Sequence, residues 1–185
     1  MTLANLASVK PFINFGFSAA LTGSAVLVAT LFSASAAEAK TQIAADLDYA
    51  APIDADSDSG GGFAIRLGQQ LHVPLIVLTP ELVFADHTFS DNGPTAYRGL
   101  AGLRLGIGEI IRPGVYGHLG FGSLSLPDPA PDHTAFTYDA GVFLDLTILP
   151  LLDIGVHGAY NRLNAGEGVA AYEWATLGAH AALIF

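Results

Sequence analysis

The chain has no cysteine, so neither a disulfide nor a thiolate metal site is available to it. Basic residues are scarce: 7 Lys and Arg stand against 17 Asp and Glu, a formal charge of −10 with a sequence pI of about 4.7. Nucleic acid binding needs clustered cations, so no nucleic acid partner is expected. One long stretch lacks charge of either sign, from residue 11 to residue 37. What the chain does have is apolar surface, with 51% hydrophobic residues and a mean hydropathy of +0.47. Its 185 residues suffice for one domain.

The uncharged stretch has the form of a secretory signal over residues 1–39. Lys10 precedes an apolar centre at Ala25 to Phe32, and Ala37-Glu38-Ala39 supplies a small-residue cleavage pattern. The expected cut lies between Ala39 and Lys40. An uncleaved anchor competes with this reading, since a helix of about 20 residues spans a bilayer, but Ser, Gly and Thr dilute the run.

Residues 40–185 read as strands. In the last segment, Tyr172 to Phe185, steps of two back from Phe185 give Leu183, Ala181, Ala179, Leu177 and Ala175. The other parity gives Ile184, Ala182, His180, Gly178, Thr176 and Trp174. One face is wholly apolar, which is the period of a strand and not of a helix. The same alternation predicts seven earlier strands, at residues 42–49, 63–71, 75–84, 96–106, 112–122, 135–148 and 151–162. Pro80 interrupts the third of these, where it has no N–H to donate.

The connecting links alternate between long and short. The long ones, residues 50–62, 85–95, 123–134 and 163–171, are polar or rich in Gly and Pro. Segments of about 10 alternating residues with short turns on one side and long loops on the other are the pattern of transmembrane barrels. Tyr49, Phe63, Phe84, Tyr97, Phe121, Phe136 and Tyr160 fall where a strand meets a long link, each on the apolar parity. This is the expected form of an aromatic girdle at a membrane interface. Tyr172 and Trp174 have the opposite parity, so either a bulge turns them outward or they cap the lumen.

With lipid outside, the polar parity must face inward. Asp46, Asp48, Arg66, Glu81, Arg98, Arg104, Asp139, Asp145 and Asp153 would then meet in a narrow lumen. Buried charge must be paired, so an ion-pair network is expected among Arg66, Glu81, Arg104, Asp139, Asp145 and Asp153. Arg66 and Arg104 would take Glu81, Asp139 or Asp145, in a structural role.

Weaker motifs point elsewhere. Asp54, Asp56 and Asp58 open like an acidic calcium loop, but Ser59 and Ile65 stand where glycine and a bidentate glutamate are needed. His118, His157 and His180 share the inward parity and could ligate zinc, though lumen partners are the commoner role. His72, His87 and His133 fall in links and read as surface residues. Ser57, Ser59, Ser90, Ser123 and Ser125 form no nucleophile elbow, so no catalytic residue, metal or cofactor is expected.

A terminal strand that ends on an aromatic, Phe185, resembles the C-terminal segment of bacterial outer-membrane β-barrel proteins. The pattern over residues 40–185 is similar to that of the small OmpA-like and OmpX-like barrels, here without a peptidoglycan-binding domain. The resemblance implies an eight-stranded antiparallel up-and-down barrel in the cell outer membrane, with Phe185 read by the barrel assembly machinery. Its partners would be membrane lipid, that machinery and an unidentified ligand of the long links. The implied role is structural or adhesive. A narrow porin-like or hydrophobic-solute channel is the alternative, and a soluble secreted barrel with a ligand inside a further one.

Overall fold

The structure is a computed structural model, described here over residues 39–53, 58–90, 93–125, 133–164 and 171–185. Residues 1–38 of the expected signal segment lie outside these residues, and Ala39 opens the first strand. Eight antiparallel strands close into a barrel in sequence order. They are β1 (Ala39–Pro52), β2 (Gly60–Val73), β3 (Ile76–Phe89), β4 (Thr95–Ile107), β5 (Ile111–Ser125), β6 (His133–Leu149), β7 (Leu152–Leu163) and β8 (Tyr172–Ile184).

Closure is made by β1 against β8, with Asp46 opposite His180 and Ala44 opposite Ala182. Thr41 and Phe185 exchange both backbone hydrogen bonds, at 2.8 and 2.9 Å. A closed ladder leaves no edge strand, and it is one of two arrangements that satisfy every backbone group in lipid.

The strands run further than the alternation alone indicates, and the link regions shrink accordingly. The largest correction is in β3. Residues 85–89 were expected in a long link, yet they continue the strand, with Ala85, His87 and Phe89 buried and Thr88 exposed. His87 is therefore a lumen residue, and its reading as a surface residue is overturned. A polar run ends a strand in a soluble protein, but in a barrel with an apolar exterior it can be the inner face. His72 lies in β2 and is exposed; His133 opens β6.

Pro80 is accommodated without breaking β3. The β2–β3 ladder pairs Gly68 with Glu81 and Leu71 with Leu78 in one register, and the pairs between them, opposite Pro80, are missing. On its other side Pro80 still pairs with Leu103. The lost donor thus costs a local gap and no register shift.

The two faces differ as the parity requires. The outer face presents Leu47, Phe84, Leu103, Val115, Leu119, Val142, Val156 and Leu177, all exposed, while Asp46, Arg66, Glu81, Arg104, Asp139, Asp145 and Asp153 are buried. A soluble carrier would have the reverse arrangement.

Candidate functional site

The inner positions of the strands bring the charged residues into one connected network. Arg66 on β2 lies between its two neighbours. Its Nε donates to Asp46 Oδ2 at 2.8 Å, and its Nη1 to Glu81 Oε2 at 3.1 Å. His118 on β5 bridges onward, with Nε2 2.9 Å from Glu81 Oε1 and Nδ1 2.6 Å from Asp139 Oδ1. Asp139 also receives Arg98 Nη1 at 3.4 Å.

Nearer the short turns, Arg104 donates to Asp145 Oδ1 at 2.9 Å, and His180 Nε2 reaches the same oxygen at 2.9 Å. Arg112 bridges Asp145, at 3.3 Å, and Asp153. Thr147 and Gln70 complete the partners of Asp153. The six residues expected in the network all lie in the lumen, Arg66 with Glu81 and Arg104 with Asp145. Asp139 is paired with Arg98 and His118. Asp46, Arg98, Arg112 and the histidines are the further members.

His157 and His180 sit side by side, Nδ1 to Nδ1 at 3.3 Å, and His157 Nε2 is 2.8 Å from Asp48 Oδ1. His87 takes the other oxygen of Asp48 at 3.1 Å. His118 stands apart on its own two carboxylates. Among the described residues no group of three or more His, Cys, Asp or Glu is arranged to hold a metal.

A neutral imidazole has one N–H, so His118, which faces a carboxylate with each nitrogen, is the cation. His157 and His180 face each other through Nδ1 and each has a carboxylate at Nε2, and His180 Nε2 also lies 3.3 Å from Arg104 Nη2. His87 has a partner on Nε2 and none on Nδ1 among the described residues. Six carboxylates, of Asp46, Asp48, Glu81, Asp139, Asp145 and Asp153, face four arginines and four histidines. Each carboxylate has at least one basic partner, which a buried network needs.

Toward the long links the filling changes character. Ala50, Phe89, Ala96, Leu124, Leu163 and Trp174 form an apolar cluster inside the barrel. Trp174 is fully buried, edge-on to Phe89 with centroids 6.0 Å apart. β8 pairs with both neighbours without a bulge, so Trp174 caps the lumen from within. The Arg98 guanidinium lies 4.9 Å from its ring centroid, joining the two halves. Between them is a cavity of about 30 Å³, lined in part by Asp48, His87, Arg98 and Tyr116; that is room for about two waters.

On the outer face, Tyr49, Phe63, Phe84, Tyr97, Phe121 and Phe136 are exposed and Tyr160 is half-buried. Phe121, Phe136, Tyr138 and Tyr160 follow one another around the barrel with centroids 6.3 to 6.4 Å apart. Tyr138, on the same parity, was missed because it lies one step below the strand–link junction. Phe185 is exposed at the short-turn end. Asp54 and Asp56 of the acidic loop, and Ser57, lie outside the described residues.

No family model and no curated protein sequence matches the chain. Solved structures do. Neisserial surface protein A superposes with a TM-score of 0.59 at 14% identity, over 80% of this chain and 97% of that one. Ail, the attachment invasion locus protein of Yersinia pestis, gives 0.56 at 11% identity over 80% and 99%. The outer membrane enzyme PagL gives 0.52 at 15% identity over 75% and 97%. The chain therefore has the fold of the small eight-stranded outer-membrane β-barrels.

Proposed function

We propose that this chain is an outer-membrane barrel whose role is structural or adhesive, exercised through its long links and not through its interior. The observation that carries this reading is the filled lumen. A paired ionic network occupies one half and an apolar cluster headed by Trp174 occupies the other. An eight-stranded barrel is wide enough only for its side chains to fill it, and here they do. A conducting path would have to break both fillings.

The same packing speaks for a non-enzymatic role, although PagL shows that the fold can carry an enzyme. His87, His118, His157 and His180 are all committed to buried carboxylates. None is at the outer rim, where a serine and a lipid ester would meet. Ail, the attachment invasion locus protein, supports the adhesive reading.

Charge narrows the partner. Between the strand ends the four long links carry Asp54, Asp56, Asp58, Asp91, Asp128, Asp132 and Glu167, with no Lys or Arg. Ail has been crystallised with a heparin analogue. An acidic rim repels such a polyanion, so the partner of this chain is cationic or neutral. Lipid and the barrel assembly machinery, through Phe185, complete the proposed partners.

The test is cell adhesion. Cells displaying the intact chain should adhere to immobilised cationic or neutral matrix proteins. Cells displaying a barrel with residues 126–132 and 165–170 replaced by Gly-Ser should not, while the barrel itself still forms. Equal adherence, or ion conductance by the purified protein in planar bilayers, would overturn the reading.

A further inference from the structure

The three short turns are as apolar as the barrel wall. Val73, Leu75, Ile110, Ile111, Leu149 and Leu151 are all more than half exposed, Leu75 reaching 69%. Turns are ordinarily polar, and contiguous exposed apolar surface marks a binding face. Leu75 adds a second signal. It follows Pro74 with a φ of 66°, the conformation that a turn normally gives to glycine or asparagine. A leucine there is strained relative to glycine, so its side chain is kept despite the backbone.

The height of the barrel says what covers this end. A membrane barrel presents an apolar band about 25 Å tall on strands tilted by about 40°. At a rise of about 3.3 Å per residue, this band takes about ten residues of strand. Counted down from the aromatic ring, ten residues lead from Tyr49 to Ala39, from Phe63 to Val73, from Tyr97 to Ile107 and from Phe121 to Ile111. These are the residues at which β1, β2, β4 and β5 end. On these four strands the apolar band reaches the strand end, with Thr41 and Gln69 as the polar positions on its outer face, and the turns beyond are apolar.

We infer that the short-turn end is a lipid-binding face, its turn tips seated in the headgroup–acyl boundary of the phospholipid leaflet that they meet. Lys40, His72 and Glu109, exposed among them, reach the headgroups. The barrel then projects from the membrane on the long-link side alone. This inference rests on the membrane reading given above, and its test separates the two.

Because the protein has no cysteine, single-cysteine variants can be labelled with a fluorophore without background. Leu75→Cys, Ile110→Cys and Leu151→Cys report the turn tips. Val142→Cys reports the middle of the wall, and Ser90→Cys the long-link side. Each is placed in phospholipid nanodiscs, which leave both faces open to water, after a heat-dependent gel shift shows that it folds. Quenching is then read with aqueous iodide and with lipids spin-labelled near the headgroup.

The turn tips should be quenched by the shallow lipid label and several-fold less by iodide than Ser90→Cys. Iodide quenching equal to that at Ser90→Cys, with Val142→Cys still quenched by lipid, would overturn the inference and leave the membrane reading standing. Shielding from both quenchers would put protein in place of lipid and also overturn it. Loss of lipid quenching at Val142→Cys would overturn both.

Discussion

Toward the long links, the lumen is filled by Phe89, Leu124, Leu163 and Trp174; toward the short turns, by Arg104, Arg112, Asp145, Asp153 and His180. The two halves fill the same narrow bore by different rules. The apolar half needs only volume, and each side chain contributes through contact. The ionic half needs a count, because any unpaired member leaves a buried charge. Their boundary is where the filling is least complete. His87 Nδ1, Arg98 Nε and Trp174 Nε1 are buried there without a hydrogen-bond partner among the described residues.

The largest effect should come from unbalancing the ionic half. Arg66→Met strands Asp46, leaves Glu81 with His118 alone, and should cost about 3 to 5 kcal/mol, read from the urea midpoint of folding in lipid vesicles. A change under about 1 kcal/mol would mean that the carboxylates find water or other partners. In the apolar half, Leu163→Ala should cost about 2 to 5 kcal/mol through the cavity that it leaves. That loss should not change with salt or pH, which separates it from the first. A loss that varied strongly with pH would tie the cap to the network below it.

His118→Gln tests the cation held between Glu81 and Asp139. Glutamine has an N–H₂ group for one carboxylate but no charge, so Glu81 and Asp139 share one donor group where they had two. The expected loss is about 1.5 to 3 kcal/mol. Thr147→Val, at the short-turn edge, removes one hydroxyl from Asp153, which keeps Arg112 and Gln70. About 1 kcal/mol is expected, the smallest of the four.

Most of the fold was legible because period-two alternation survives in every strand. Eight segments, their order and the sense of their faces follow from residues such as Leu103, Arg104 and Leu105 taken in turn. Strand lengths were not legible. Residues 85–89 look like a link, since Asp86, His87 and Thr88 are polar, and only the partner strand shows that His87 faces Asp48. Nor can pairing across the lumen be read from sequence. Which carboxylate meets Arg98 or His157 depends on the stagger of strands far apart in the chain, and alternation carries no information about stagger. Trp174 was ambiguous for a related reason, because a single bulge would have reversed its side.

The most direct test is whether the chain forms a closed barrel with an apolar exterior in a membrane. The full-length chain is produced in a Gram-negative host, and outer membranes are run unboiled and boiled on a denaturing gel. A band in that fraction should change mobility on boiling, because a closed eight-stranded ladder resists detergent until heated. A soluble periplasmic band with no heat-dependent shift would contradict it, and would turn the apolar parity inward.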